Sequence, residues 1–233
     1  MGFKVRGYTR EVPQEKVRDY SLFAIACEGT EREPDYFRLF DGTDRIKVDI
    51  IEDGEGSAPS KVLARVADYI SENQLNAEYG DSLWCVIDKD KWPQDQIEEL
   101  HSFCNQKDNR HLVISNPSIE IWLLYHKLAD LKGLNITTAQ DAKQSLDGIE
   151  KGGYYYIKYL PLMLKAIENA SHADTNPGGY MPELLQTKVY QLGKALYERM
   201  GKVRFDKFVA SLPAIEKELL AKKAKVKLIG KQK

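Results

Sequence analysis

The sequence predicts an α/β fold: a mostly parallel four-stranded sheet flanked by helices, followed by an α-helical C-terminal region. Three observations predict it. Short continuous apolar runs alternate with helical patterns four times before residue 128. The alternation stops after residue 130 and helical patterns take over. The 233 residues are 42% apolar, 30% charged and 10% aromatic, which gives enough apolar surface for a packed core and excludes disorder across the chain.

A strand covered on both faces is apolar throughout, whereas a half-exposed strand alternates. Leu22-Phe23-Ala24-Ile25-Ala26-Cys27 is such a run, and it ends at Glu28-Gly29. The stretch from Glu33 to Phe40 reads as a helix entered through Pro34, a favoured first-turn residue. Lys47–Ile51 reads as the second strand, and Lys61–Asn73 as a helix with Val62, Val66, Ala67 and Ile70 at helical spacing and Ser57 or Ser60 as its cap. Leu83–Ile87 is the third strand and Gln94–Asn105 the helix opened by Pro93. His111–Ile114 is the fourth strand, broken by Asn116-Pro117 ahead of an apolar helix over Ser118–Leu128, which Asn116 is placed to cap. Beyond it, short polar stretches fill 130–150, and 151–172, 182–200 and 203–220 read as helices, with a loop at Asn176-Pro177-Gly178-Gly179. The expected organisation is an arm over 1–20, an α/β domain over 21–128, a helical region over 129–220 and a lysine-rich tail over 221–233.

Charge and cysteine content narrow the function classes. Thirty-four basic and 35 acidic residues give a net charge of −1, so bulk charge does not make the chain a polyanion binder, although local patches remain open. Three cysteines without CxxC spacing argue against a disulfide framework or structural zinc. No apolar run approaches the roughly 20 residues that cross a bilayer. The first residues lack a signal-peptide apolar region and the full myristoylation pattern, so a cytoplasmic protein with no membrane partner is expected.

The chemistry follows from where acids fall. In a parallel sheet the carboxyl ends of the strands share one edge, and ligands bind there. Glu28 ends the first strand, and Asp88 and Asp90 end the third, two apart in an extended segment so that both face one side. Clustered carboxylates repel unless a cation sits among them. An oxygen-only set suits Mg²⁺ or Mn²⁺, and hence phosphoryl transfer or phosphodiester hydrolysis. Acids after strands are also ordinary turn residues, and it is their coincidence on one edge that carries weight.

The residues resemble a known family. Glu28-Gly29-Thr30-Glu31-Arg32-Glu33-Pro34-Asp35-Tyr36-Phe37 resembles the opening motif of RloB-like proteins, EG-x-x-T-E-P-x-Y-F. Ile87-Asp88-Lys89-Asp90 matches their DxD strand. Ser115-Asn116-Pro117-Ser118-Ile119-Glu120-Ile121-Trp122-Leu123-Leu124-Tyr125-His126 is similar to their SNP segment, and the order of the three motifs agrees. Arg32 departs from the family pattern, which usually has Thr there. The resemblance implies a TOPRIM-type fold, with Glu28 as general acid/base and Asp88 and Asp90 as ligands of Mg²⁺ (or Mn²⁺). It also implies restriction or phage-defence neighbourhoods, often beside an ATPase. The topoisomerase pattern often carries a third Asp where this chain has Trp92, which argues against DNA relaxation.

Further candidates stand around these motifs. Glu33 lies about one turn past Glu28, where a first-turn acid also favours the helix dipole. Glu120, a further catalytic candidate, sits in an otherwise apolar helix, where a carboxylate needs a partner; it is placed to orient a basic residue, to complete the metal site or simply to face solvent. Lys89 and Lys91 flank the DxD and are candidates for a phosphate or leaving group, or simply solvated. Lys151 and Lys158 bracket a tyrosine-rich stretch of the kind that stacks bases and neutralises phosphates, or packs a core. The lysine tail adds a candidate sequence-independent contact. His111 and His126 read as structural histidines and Trp122 as core. The function expected is a Mg²⁺-dependent TOPRIM-type nuclease acting on DNA or RNA in bacterial defence. The alternatives are another metal-dependent phosphoryl-transfer enzyme, or a non-catalytic partner of an ATPase.

Overall fold

The structure is a computed structural model that describes residues 18–30, 32–51, 56–89, 92–150 and 156–230. Four strands, β1 (Ser21–Cys27), β2 (Ile46–Ile50), β3 (Ser82–Asp88) and β4 (Arg110–Ser115), form one all-parallel sheet in the order β2-β1-β3-β4. The connecting helices are α1 (Arg32–Arg38), α2 (Pro59–Glu72) and α3 (Gln94–Cys104). α4 (Glu120–Tyr125), α5 (Ala139–Ile149), α6 (Met163–Ala173), α7 (Val189–Met200) and α8 (Lys202–Gly230) follow. The α/β, Rossmann-like character and the helical C-terminal region are as the apolar runs required.

The strand order places the helices. The chain moves from β1 outward to β2, then back across β1 to β3 and on to β4. Right-handed crossovers therefore put α1 on one face and α2 with α3 on the other. Side chains separate accordingly. Phe23, Ile25, Cys27, Trp84, Val86 and Val113 join the core of α1 and the later helices, whereas Ala24, Ala26, Leu83, Cys85, Ile87, Leu112 and Ile114 meet α2 and α3. The strict alternation is the period of two of a strand buried on both sides.

The helical region is built onto the first face. α4 is buried on every side, the pattern of a helix inside a core. The buried Asn169 amide of α6 donates to the Tyr125 (2.8 Å) and Leu128 (3.0 Å) carbonyls, satisfying acceptors that the end of α4 leaves over. His126 is fully buried, with Nδ1 against the Trp122 carbonyl (2.9 Å), Nε2 against the Tyr36 hydroxyl (3.1 Å), and the rings of Tyr36, Trp122 and Tyr159 packed edge-on around it. The structural readings of His126 and of Trp122 as core agree with this packing.

Several local expectations are corrected. α2 starts at Pro59 after Ala58, with no side-chain cap from Ser57 or Ser60. α4 is preceded by Ile119, and the Asn116 side chain donates instead to the Pro182 carbonyl (3.0 Å). α5 lies where short polar stretches were expected, started by a Thr138/Asp141 capping box. In the expected helix over 151–172, residues 156–158 and 160–162 are 3₁₀ turns and the α-helix begins at Met163. Residues 182–188 are not helical; they lie along the end of β4. There Leu185 N–H donates to the Asn116 carbonyl (2.9 Å), Asn116 N–H to Gln186 (2.9 Å) and Lys188 N–H to Ile114 (2.8 Å), and Thr187 bridges Ser115 in antiparallel fashion. Glu183, Leu184, Leu185, Gln186 and Lys188 all favour helix intrinsically, so the docking site and not the local sequence decides the conformation. Arg18, within the expected arm, donates to the Asp81 carboxylate (Nη1–Oδ2 3.0 Å), and the rest of that arm, residues 1–17, lies outside the described residues. Lysines 222, 223, 225 and 227 of the expected tail fall on the last turns of α8.

Candidate functional site

The chain reverses its direction across the sheet at β1, so β1 and β3 form the switch point where a crevice opens at the carboxyl edge. Glu28 and Asp88 stand at that point. Cys27 pairs with Val86 in register, and Glu28 N–H donates to the Val86 carbonyl (2.9 Å). In return Asp88 N–H donates to Glu28 Oε2 (3.0 Å), so the Glu28 carboxylate lies across the end of β3. Glu28 is buried, and Asp88 is half-buried. The edge continues outward: Asp88 pairs with Ser115, Lys89 N–H donates to the Ser115 carbonyl (2.9 Å), and Ser115 Oγ meets Thr187 Oγ1 (2.8 Å). Thr187 was not anticipated; only the docked 182–188 segment brings it there.

On the β2 side, a cleft of about 320 Å³ opens among Cys27, Gly29, Thr30, Pro34, Arg38 and the end of β2. Arg65 of α2 donates to the Cys27 carbonyl (2.9 Å) and the Gly56 carbonyl (3.2 Å), bracing the β1 end from the opposite face.

Glu33 folds back from α1 onto Gly29. A Cβ at Gly29 would fall 2.8 Å from Glu33 Oε1, so the glycine is what lets the carboxyl approach. Burial raises the Glu33 carboxyl above the usual range, and the nearby Glu120 adds to the rise; the backbone amides of Glu33 and Gly29 and the charge of Arg32 oppose it. Glu120, 1% exposed, has both oxygens engaged: Arg32 Nη1 pairs with Oε1, and Ser118 Oγ donates to Oε2 (2.6 Å). The partner that an acid in an apolar helix requires is therefore Arg32, 88 residues earlier in the chain. An acid in an otherwise apolar helix and a charged residue where the motif carries Thr are the sequence traces of that pair.

The structure thus brings together Glu28 with Asp88, and Glu33 with Glu120 and Arg32, with Gly29 between the two groups. Lys158 pairs with Glu150 (3.3 Å), which also holds Lys127, and Tyr159 is buried in the core. Asp90, Lys91 and Lys151 lie outside the described residues. Glu28 and Asp88 offer hard oxygen donors from adjacent strand ends, the kind of set that suits a divalent cation retaining several waters. Among the described residues no three His, Cys, Asp or Glu side chains group closely enough to hold a metal, and the third acid expected, Asp90, is not one of them.

Fold and site define a Rossmann-like α/β protein with paired acids at the switch point of a parallel sheet. The chain belongs to the RloB-like family, whose model matches residues 23–196 and so takes in the sheet, the acids and the helices through most of α7. Comparison with curated proteins and with solved structures gave no match.

Proposed function

We propose that this chain is a metal-dependent, TOPRIM-type phosphodiesterase that cuts DNA or RNA, acting in bacterial defence. The observation that carries the reading is the meeting of Glu28 and Asp88 at the β1/β3 switch point through the Asp88 N–H···Oε2 bond. In this reading Glu28 and Asp88, with Asp90 of the same motif, hold Mg²⁺ or Mn²⁺. Such an ion, when bound, would polarise a phosphoryl oxygen and offset the charge that builds there. The chain's own groups do the rest. Glu33, its carboxyl raised by burial and set against Gly29, holds a proton to higher pH than an ordinary carboxylate and is the first proton-handling group. Glu28 is the second proton-handling group, its carboxylate oriented by the Asp88 amide. Lys89, one residue past Asp88, supplies positive charge at the edge. The defence setting and an ATPase partner rest on family membership.

The test is cleavage of single-stranded and duplex DNA and of RNA with added Mg²⁺ or Mn²⁺, wild type beside Glu28→Gln and Asp88→Ala. The expected result is metal-dependent cleavage lost at least 100-fold in both variants, as removal of a group stabilising developing charge implies, with unfolding midpoints retained. Cleavage that survives both changes defeats the reading. Turnover of small phosphoesters with no polynucleotide cut moves it to another phosphoryl-transfer enzyme.

A further inference from the structure

We propose that Arg32 is a phosphate-binding residue, set in place by the buried Glu120, and that it takes a phosphate oxygen of a ligand entering the carboxyl edge. The location rests on the site reading above; the binding role does not require that the chain cleave anything.

The argument begins with Glu120. It is 1% exposed, and an ionised carboxylate so deep is costly unless paired and hydrogen-bonded. Ser118 and Arg32 supply those bonds, one to each oxygen. The carboxylate is itself clamped, so it fixes where the guanidinium sits. The guanidinium is treated differently: the Arg32 side chain remains 36% exposed. Burial of the acid does not require the cation to be exposed: Lys188, which holds the buried Asp174, is 1% exposed, and Arg18, which holds the buried Asp81, is 24% exposed. An arginine carries five N–H donors in a rigid fork, and Glu120 takes one of them at Nη1. Among the described residues Glu120 is the one ion-pair partner found for Arg32.

Position supplies the rest. Arg32 opens α1, adjoining Glu33, whose carboxyl lies on Gly29 beside Glu28. The charged groups that face it are Glu120 from α4 and Glu33 from its own helix. Glu120 is already satisfied, and Glu33 is raised toward the neutral form. The positive fork is thus held at the rim of an acidic edge, which is where a site for a phosphate needs one. A guanidinium fits phosphate in two-point fashion, where a lysine acts as a point charge. Glu120 is a positioning residue on this account.

Binding in EDTA separates this inference from cleavage. Fluorescently labelled single-stranded DNA, single-stranded RNA and duplex DNA are titrated with the full chain by anisotropy over a range of salt. Arg32→Ala is expected to weaken binding about tenfold or more. It should also lower the slope of log K against log salt by about one. Arg32→Lys should keep the slope and recover part of the affinity. Glu120→Gln removes a negative charge, so a bulk-charge effect would tighten binding; loss of affinity there marks positioning. Because Arg32→Ala strands a buried carboxylate, the double variant Arg32→Met/Glu120→Gln keeps the site neutral and is expected to fold and to bind weakly. Competition by inorganic phosphate and by a nucleoside monophosphate tells a free phosphate from a polynucleotide as the source. Wild-type affinity and slope in the folded double variant overturn the inference, as does tighter binding by Glu120→Gln or the absence of binding by any probe. Binding lost with Arg32 in a chain that cuts nothing leaves the inference standing and removes the nuclease; cleavage with an unchanged KM in Arg32→Ala does the reverse.

Discussion

Two buried acids, Asp174 and Glu120, each hold a cation, and the molecule uses them in opposite ways. Asp174 is closed in: Lys188 Nζ donates to both its oxygens (2.7 and 2.6 Å) and to the Asn176 carbonyl (2.6 Å), and Tyr190 adds a hydroxyl (2.8 Å). Both partners are sealed from water, and the network ties the 174–188 loop to the end of β4. Glu120 is equally deep, but its cation reaches the surface. A buried carboxylate by itself therefore does not identify a site; what its partner faces does. One pair locks a loop, and the other presents a guanidinium.

The largest effect that tests this contrast is on stability. Lys188→Met strands Asp174 with no counter-charge and should destabilise the fold by about 3–5 kcal/mol, read as a shift in urea midpoint. Arg32→Ala should cost less, about 1–3 kcal/mol, because water enters where the guanidinium was. Equal costs would break the comparison, since both pairs would then be locks.

His126 sharpens it as a buried ionisable group with no ion-pair partner among the described residues. Its pKa is lowered to about 3, chiefly by burial with a smaller contribution from the adjacent Lys127, while hydrogen bonds to the Trp122 and Leu123 backbone oppose the shift. The folded protein keeps the ring neutral where the unfolded chain, titrating near 6.5, takes up a proton. Its contribution is fully present above pH 6.5. It is lost at about 1.4 kcal/mol per pH unit below that, so about 2 kcal/mol is gone by pH 5. Urea unfolding of wild type and His126→Gln at pH 8 and pH 5 should show that extra loss in the wild type alone. A parallel loss in the variant would mean the ring is not what titrates.

The smallest effect is at the surface. The Thr138/Asp141 capping box satisfies the first amides of α5 in full contact with water. Thr138→Ala should cost about 1 kcal/mol in unfolding free energy. A cost as large as that of Lys188→Met would show that exposure does not set the scale.

The sheet was legible because each strand is a continuous apolar run, and both core faces alternate along it as two-sided burial demands. Boundaries moved by a residue or so, where hydrogen bonds outside the run extend or trim it. Residues 182–188 were not legible. Most of them favour helix, but a turn at Leu184-Leu185 and hydrogen bonds to Ile114 and Asn116, far away in sequence, hold them out of one. α5 was missed because its apolar face is thin, with Ala142 and Leu146 its buried residues.

The candidate site divides the same way. Glu28 and Asp88 follow from sequence alone, since any acid ending a parallel strand must arrive at the common edge. Which strands are neighbours there is a matter of topology, and the order β2-β1-β3-β4 is what sets Glu28 against Asp88. The pairing of Glu120 with Arg32 needed the fold entirely. Sequence shows an acid in an apolar helix and an arginine in place of a threonine, each an unpaired charge. Only the packing of α1 beside α4 decides that they neutralise one another, because burial makes an unpaired charge too costly and distance in the chain says nothing about distance in space.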